Sequence, residues 1–458
     1  MNNLSVFLGI DIGTTAIKFG VIENGSLVFE ISIKIITYGN DVKKYQDKSE
    51  IISVLEKGIY AIPEKWRRKA DKIGFSSAMH SLLPEKHHEI FLWSDLQAQD
   101  VIAKFARSNL AKRFYQLSGT PIHAMSPFAK LLYFKLSNKF QTVKKWYGLK
   151  ELVLEYFTGR FIIDRSCASA TGYYDLYQQK WSEEILAYIG IKKYQLAEIV
   201  DTTDVFEMLP EQIKKFGFSQ NIQVIAGASD GTLAAYASFY HTKRSASLTI
   251  GTSAAVRQIS TKIKLEPKQQ NFCYYLNEKY FVIGAPSNNG ACLLEWSALQ
   301  LSQNSTEFYK QLPDLLKRTS VGARGLRFFP YLNGERAPLW DQNVKGGFYD
   351  LTLQHTRDEL LRSVIEGMLL NIRRLVKLVA PSETISVSGG FFQTSELAQL
   401  ASDVFGAECF YAVENEPIFG LYYLYFQPDI FKEDNGAHFI PDTKIQVAYE
   451  KLSQNYFE

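Results

Sequence analysis

The sequence predicts an α/β fold built twice, with the ligand site expected in the cleft between the two copies. Three observations point there. A glycine-hydroxyl turn between apolar, β-branched runs occurs twice, as Ile12-Gly13-Thr14-Thr15-Ala16-Ile17-Lys18 and as Ile250-Gly251-Thr252-Ser253-Ala254-Ala255-Val256-Arg257. Strand-like and helix-like segments follow each copy in mixed order. A chain of 458 residues exceeds what one ordinary core holds, so two or three domains are expected.

Val6 to Asp11, Ala16 to Ile22 and Leu27 to Ile33 read as a three-stranded meander, with Asn24-Gly25 as a hairpin turn. Lys72 to Ser76 reads as a strand ending at Ser77-Ala78-Met79-His80. Gln223 to Ala226 reads as another, ending at Gly227-Ala228-Ser229-Asp230-Gly231. A second meander opens at Ser247, which places the domain boundary near residue 240 and divides 1–240 from 241–458. Arg357 to Val379 keeps Leu361, Val364, Ile365, Met368, Ile372, Leu375 and Val379 on one helical face. Thr356 and Glu359 form its capping box, and Pro381 stops it. Ile385 to Ser388 then reads as a strand running into Gly389-Gly390, with a helix from Ser395 to Phe405 after it.

Composition narrows the function classes. With 46% hydrophobic and 22% charged residues the chain is globular. A net charge of +3 lacks the concentrated basic face of a nucleic-acid binder. No apolar run approaches the roughly 20 residues that span a bilayer. The N-terminal apolar run contains Asp11 and follows no basic region, unlike a secretory signal. Cys167, Cys273, Cys292 and Cys409 form no close pair and have no His at zinc spacing, as expected of reduced thiols in a cytoplasmic protein.

Both glycine-hydroxyl turns can offer backbone N–H groups and hydroxyls to an anion, and two such turns facing each other could grip one polyphosphate. Only the first carries a carboxylate, because Thr249 stands where the first copy has Asp11. Asp11 suits Mg²⁺ beside a nucleotide phosphate, or else caps the turn through its side chain. Asp230, at a strand-to-helix junction, reads as a general base for a substrate hydroxyl or as a helix N-cap. Gly389-Gly390 would let the backbone approach a flat ring, or is simply a tight turn; neither a dinucleotide fingerprint nor a Walker-type loop occurs. His80 reads as a donor to a polar substrate or as a structural histidine. His87-His88 reads as surface loop, and Tyr422, Tyr423 and Tyr425 as packing.

Taken together these residues resemble the FGGY carbohydrate kinases, sugar kinases of the actin-like ATPase superfamily with two ribonuclease-H-like domains around a cleft. Gly9-Ile10-Asp11-Ile12-Gly13-Thr14-Thr15 resembles the family's first phosphate motif, Thr249-Ile250-Gly251-Thr252-Ser253 its second, and Ser388-Gly389-Gly390-Phe391 its adenosine motif. Gly227-Ala228-Ser229-Asp230-Gly231 resembles the segment of the catalytic aspartate; Gly334-Glu335-Arg336-Ala337-Pro338 and Arg362 to Gly367 are also family-like. Phe75 to Ser81, Gly119 to Pro127, Asp164 to Gly172 and Thr252 to Arg257 resemble the gluconate kinases within it.

The resemblance implies ATP-dependent phosphorylation of a sugar or sugar acid, D-gluconate foremost, with Asp230 as base, Asp11 on Mg²⁺, and Ala78, Met79, His80, Asp230 and Arg257 at the substrate. It assigns the nucleotide to Gly13, Thr14, Thr15, Lys18, Gly251, Thr252, Glu295, Gly389, Gly390, Phe391 and Thr394. A homodimer, common in the family, is compatible with it. Arg257, Arg165, His80, His123 and Lys130 are the donors available to a substrate carboxylate. The chain departs from the family at Gln97, usually arginine, at Glu295, often glutamine, and at Phe419-Gly420-Leu421-Tyr422-Tyr423-Leu424, where small residues are usual. Those tyrosines are expected to reshape the adenine side. D-xylulose or another sugar as acceptor, and a non-catalytic sugar or nucleotide sensor, are the competing readings.

Overall fold

The structure, a computed structural model, describes residues 6–302, 304–411, 417–427 and 436–458. The chain divides into two compact units: residues 1–237, 260–282 and 415–431, and residues 238–259, 283–414 and 432–458. The first changeover falls close to the boundary read near residue 240, but two later segments belong to the first unit.

In the first unit β1 (Val6–Ile12), β2 (Ala16–Glu23) and β3 (Ser26–Lys34) form the expected meander. Asn24 and Gly25 both have positive φ, 54° and 79°, as the tight hairpin turn between twisted strands requires. Helix α1 (Lys48–Ala61) is capped by Asp47, which accepts from the Ser49 and Glu50 amides. Strand β4 (Ala70–Ser77) lies parallel to β1. Helices α2 (Leu149–Thr158) and α3 (Arg165–Ser169) follow, then β5 (Val205–Glu207), β6 (Gln223–Ile225) and α4 (Asp230–Thr242). The sheet order is β5-β6-β4-β1-β2-β3.

Strand β1 is buried along its whole length, which explains why it reads as a nearly continuous apolar run. Its side chains alternate between faces. Val6, Leu8, Ile10 and Ile12 share a core with Ile51, Val54, Leu55 and Ile59 of α1. Phe7, on the other face, meets the helix Pro417–Phe426, with its ring 5.9 Å from Tyr422 and 5.7 Å from Phe426. Tyr422 and Tyr423 are buried there. These tyrosines are therefore core residues of the first unit's sheet, as their packing reading has it.

The second unit repeats the pattern. Its strands are β7 (Ala246–Ile250), β8 (Ala254–Ser260), β9 (Phe281–Ser287), β10 (Thr384–Ser388), β11 (Glu408–Tyr411) and β12 (Ala437–Phe439), in the order β9-β8-β7-β10-β11-β12. Strand β1 pairs antiparallel with β2 and parallel with β4; β4 and β6 are parallel, and β5 closes the edge antiparallel. The same senses recur for β7 with β8, β7 with β10, β10 with β11, and β11 with β12. One difference marks the copies: the antiparallel edge strand precedes its partner in the first unit and follows it in the second. Helix α5 (Arg357–Val379) has the bounds its sequence period predicts. Its capping box is reciprocal, with the Thr356 amide donating to Glu359 at 2.7 Å. Helix α6 (Ser395–Phe405) follows β10 as expected.

Candidate active site

In the first unit, the carboxyl ends of the parallel strands β1, β4 and β6 present the residues that the sequence singles out. Asp11 lies in register with Ser76 on β4 and Lys18 on β2. The Ser76 hydroxyl donates to Asp11 Oδ1 at 2.6 Å. The turn beyond is closed by the Gly13 amide on the Ala16 carbonyl at 3.1 Å. Gln46 Nε2 holds the Thr14 carbonyl at 2.8 Å, and Thr15 is exposed. Among the described residues no group of three or more His, Cys, Asp or Glu could hold a metal. An ion at Asp11 would thus need water and phosphate oxygens for its remaining ligands, the habit of Mg²⁺. A buried carboxylate at a strand end, beside exposed threonine, fits that donor set.

Strand β4 runs into Ala78-Met79-His80. His80 adopts φ 66°, and its Nδ1 lies 2.8 Å from the Ala170 carbonyl, which fixes Nδ1 as the donor. Tyr274, also of this unit, places its hydroxyl 3.5 Å from Nε2. Lys130, read as a candidate cation for substrate, is buried beneath this segment and donates to the carbonyls of His80, Ala124 and Met125 at 3.4, 3.4 and 2.5 Å. Burial pushes it down to about 7, with Asp95 pulling the other way. It supports the His80 backbone. His123 is buried too and accepts from the Met125 amide at Nδ1, 3.2 Å. Arg165 donates to the Gln179 carbonyl at 2.8 Å and lies 3.5 Å from Asp201.

Asp230 opens α4, but Ser229 is the capping residue: its carbonyl accepts the first helical bond, from Leu233 at 3.0 Å. Asp230 therefore stands at the first helical position, with Oδ1 accepting from the Gly231 amide at 2.7 Å. Strands β4 and β6 change step just before it. Gly74 pairs with Ile225, yet the next bridge joins Ser77 to Ser229, so β6 gains a residue there. Gly227 makes this possible, with φ +72° and no room for a Cβ, which would fall 2.1 Å from the Phe75 carbonyl oxygen.

In the second unit, the copy of the turn is tighter. Ile12 pairs with Ile17 across four residues, whereas Ile250 pairs with Ala254 across three. Thr252 and Ser253 are exposed. The Ala291 amide donates to the Gly251 carbonyl at 2.7 Å and the Gly290 amide to that of Thr252 at 3.2 Å. Thr249 and Ser388 hydroxyls lie 3.0 Å apart, and Arg257 Nη1 approaches Thr249 at 3.4 Å. A Cβ on Gly389 would lie 2.3 Å from the Ile250 carbonyl, while one on Gly390 meets open space. Phe391 is buried against Phe392, so a nucleotide contact from this position comes from the main chain. Thr394 precedes α6, and Glu295 is exposed in the first turn of the helix Cys292–Leu301.

From the sequence, Glu335 is named only within the family-like segment Gly334 to Pro338, with no role of its own. It is fully buried and accepts from Ser287, the Asn288 and Arg336 amides and Asn371 at 2.8–2.9 Å, fixing the loop that holds the Gly251 turn. Lys150 was missed altogether. Its one signal is a Lys-Glu pair inside the apolar stretch of α2.

Comparison with known proteins gives a consistent result. The model of the FGGY family of carbohydrate kinases, N-terminal domain, matches residues 6–237, and that of the C-terminal domain matches residues 246–418. The gluconokinase of Bacillus subtilis (strain 168) is 32% identical over 428 residues, covering 88% of this chain and 83% of that protein. The gluconate kinase of Lactobacillus acidophilus superimposes with a TM-score of 0.91 at 30% identity, covering 99% of this chain and 97% of that one. The ligand-bound xylulose kinase of the same organism gives 0.92 at 29% identity with the same coverage.

Proposed function

The chain belongs to the FGGY family of carbohydrate kinases, and we propose that it phosphorylates D-gluconate to 6-phospho-D-gluconate in the cytoplasm, with Asp230 as general base. As a carbohydrate kinase it uses ATP as phosphoryl donor. The observation that carries the proposal is the convergence of Asp11, Ala78-Met79-His80 and Asp230 at the carboxyl ends of adjacent parallel strands of the first unit. The identity to gluconokinases over most of the chain supports gluconate as acceptor.

Phosphoryl transfer asks the protein mainly for positioning and charge stabilisation. Asp230 takes the proton of the sugar hydroxyl as its oxygen bonds to the γ-phosphorus; the bond to the bridging oxygen breaks and ADP leaves. Thr14 and Thr15 from one turn, and Gly251 and Thr252 from the other, donate to phosphate oxygens. Asp11 would hold Mg²⁺, which would supply neutralising charge to the phosphate oxygens. Lys18, Gly13, Glu295, Gly389, Gly390, Phe391 and Thr394 complete the nucleotide contacts, and His80 and Arg257 the sugar contacts.

A second reading keeps the chemistry and takes D-xylulose, on the strength of the likeness to a ligand-bound xylulose kinase. ADP release with ATP and Mg²⁺ across gluconate, xylulose, ribulose, glycerol and no sugar separates the two. Release dependent on gluconate and abolished by EDTA supports the first; release with xylulose alone supports the second. The sensor reading was motivated by the tyrosine-rich segment, which packs as core.

A further inference from the structure

Two buried groups converge on the segment that carries Asp230. Lys150, on α2, is 2% exposed. Its Nζ donates to the carbonyls of Phe75, of Ala226 at 2.9 Å and of Ala228 at 3.2 Å, and lies 3.3 Å from Asp164 Oδ2. All three carbonyls belong to the stretch between the Gly74–Ile225 pair and the Ser77–Ser229 bridge, where β4 and β6 are out of step. A buried carbonyl left without a donor is destabilising. An ammonium group has three hydrogens to give, which an apolar side chain of the same length cannot replace.

The other oxygen of Asp164 caps α3, accepting from the Cys167 amide at 2.8 Å. That helix presents Ser166, whose hydroxyl lies 3.0 Å from Ser229 Oγ and 2.9 Å from Thr232 Oγ1. Those two oxygens are 2.9 Å apart, and the Ser229 amide also faces Ser166 Oγ at 3.3 Å. The triangle of hydroxyls is fully buried. Asp230 sits between two of its members in the chain and just after the carbonyls held by Lys150.

The geometry points to Lys150 and Ser166 as positioning residues for Asp230: Lys150 fixes the bulge that ends β6, and Ser166 fixes the first turn of α4. The inference rests on the reading of Asp230 as base. Both side chains are buried, and both act by holding the carboxylate where the sugar hydroxyl must meet it. An ion pair out of water is costly, and its retention here follows from the three carbonyls it satisfies.

The test uses the full-length protein with Lys150→Met, Ser166→Ala and Asp230→Asn, each checked by circular dichroism and thermal melting. Lys150→Met and Ser166→Ala are expected to lower kcat by about 10- to 100-fold, the scale of an ångström-sized misplacement. KM for gluconate and for ATP should each move by less than about threefold, since ground-state binding is untouched. Combined with Asp230→Asn, neither should slow turnover further, because each acts through that carboxylate. If Lys150→Met does not fold, Ser166→Ala, which leaves the ion pair in place, decides the matter. A fully active Ser166→Ala beside an inactive Asp230→Asn overturns this inference alone, as does a further drop in the double variants. Near-normal turnover of Asp230→Asn overturns the base reading, and the inference with it.

Discussion

At Asp230, capping is assigned to Ser229, and the carboxylate stands one position further along, at the start of α4. Asp230→Asn keeps the size and the amide contact, so both substrates should bind with unchanged affinity by calorimetry while kcat falls by about 10²- to 10⁴-fold, the usual worth of a general base. Arg257→Gln should raise KM for gluconate and leave that for ATP; equal weakening of both would assign Arg257 to the proposed phosphate turn that Thr249 begins. Glu151 gives a pH prediction. Burial pushes its carboxyl from 4.5 up to about 7. The native state then holds a proton that the unfolded chain has lost, so this group's contribution to stability falls as pH rises from about 4.5 to 7. Glu151→Gln mimics the protonated form. It should be about 2–3 kcal/mol more stable than the parent by urea denaturation at pH 8, and equal to it below pH 4.5. Asp11 and Asp230 could be singled out as candidates in the sequence because each sits in a short local pattern. The roles of Lys130 and Lys150 could not be read there, because they are set by carbonyls that only the fold brings to them.

Among the elements, α5 was legible to its ends because its period, its capping box and Pro381 all act within the helix. The meanders were legible from β-branched runs and turn residues. The three-residue edge strand β5 and the burial of Pro417–Phe426 against β1 were not, since both depend on partners remote in sequence. The glycines at the strand ends separate packing from ligand contact. Gly227→Ala and Gly389→Ala each place a methyl against a carbonyl at positive φ and should cost about 1–3 kcal/mol or more in denaturant unfolding. Gly251→Ala meets nothing within 4 Å. It should leave the melting temperature nearly unchanged yet raise KM for ATP, because the added methyl stands on the turn proposed to bind phosphate. Unchanged KM would remove Gly251 from the nucleotide site.

For the whole molecule, the repeated turn foretold a repeated sheet, and the two copies share pairing sense, differing in chain order at the antiparallel edge strand. The discontinuity of the units was hidden, because residues 260–282 and 415–431 carry no composition change that marks them as belonging to the first. The central claim is a specific transfer, from ATP to gluconate, governed by Asp230. Its most direct test is ³¹P NMR of the product formed from ATP, Mg²⁺ and D-gluconate by the parent protein and by Asp230→Asn. The account predicts a phosphomonoester of gluconate at C6, formed one for one with ADP and all but absent with the variant. No phosphorylated gluconate, or equal yield from both proteins at equal times, would contradict it.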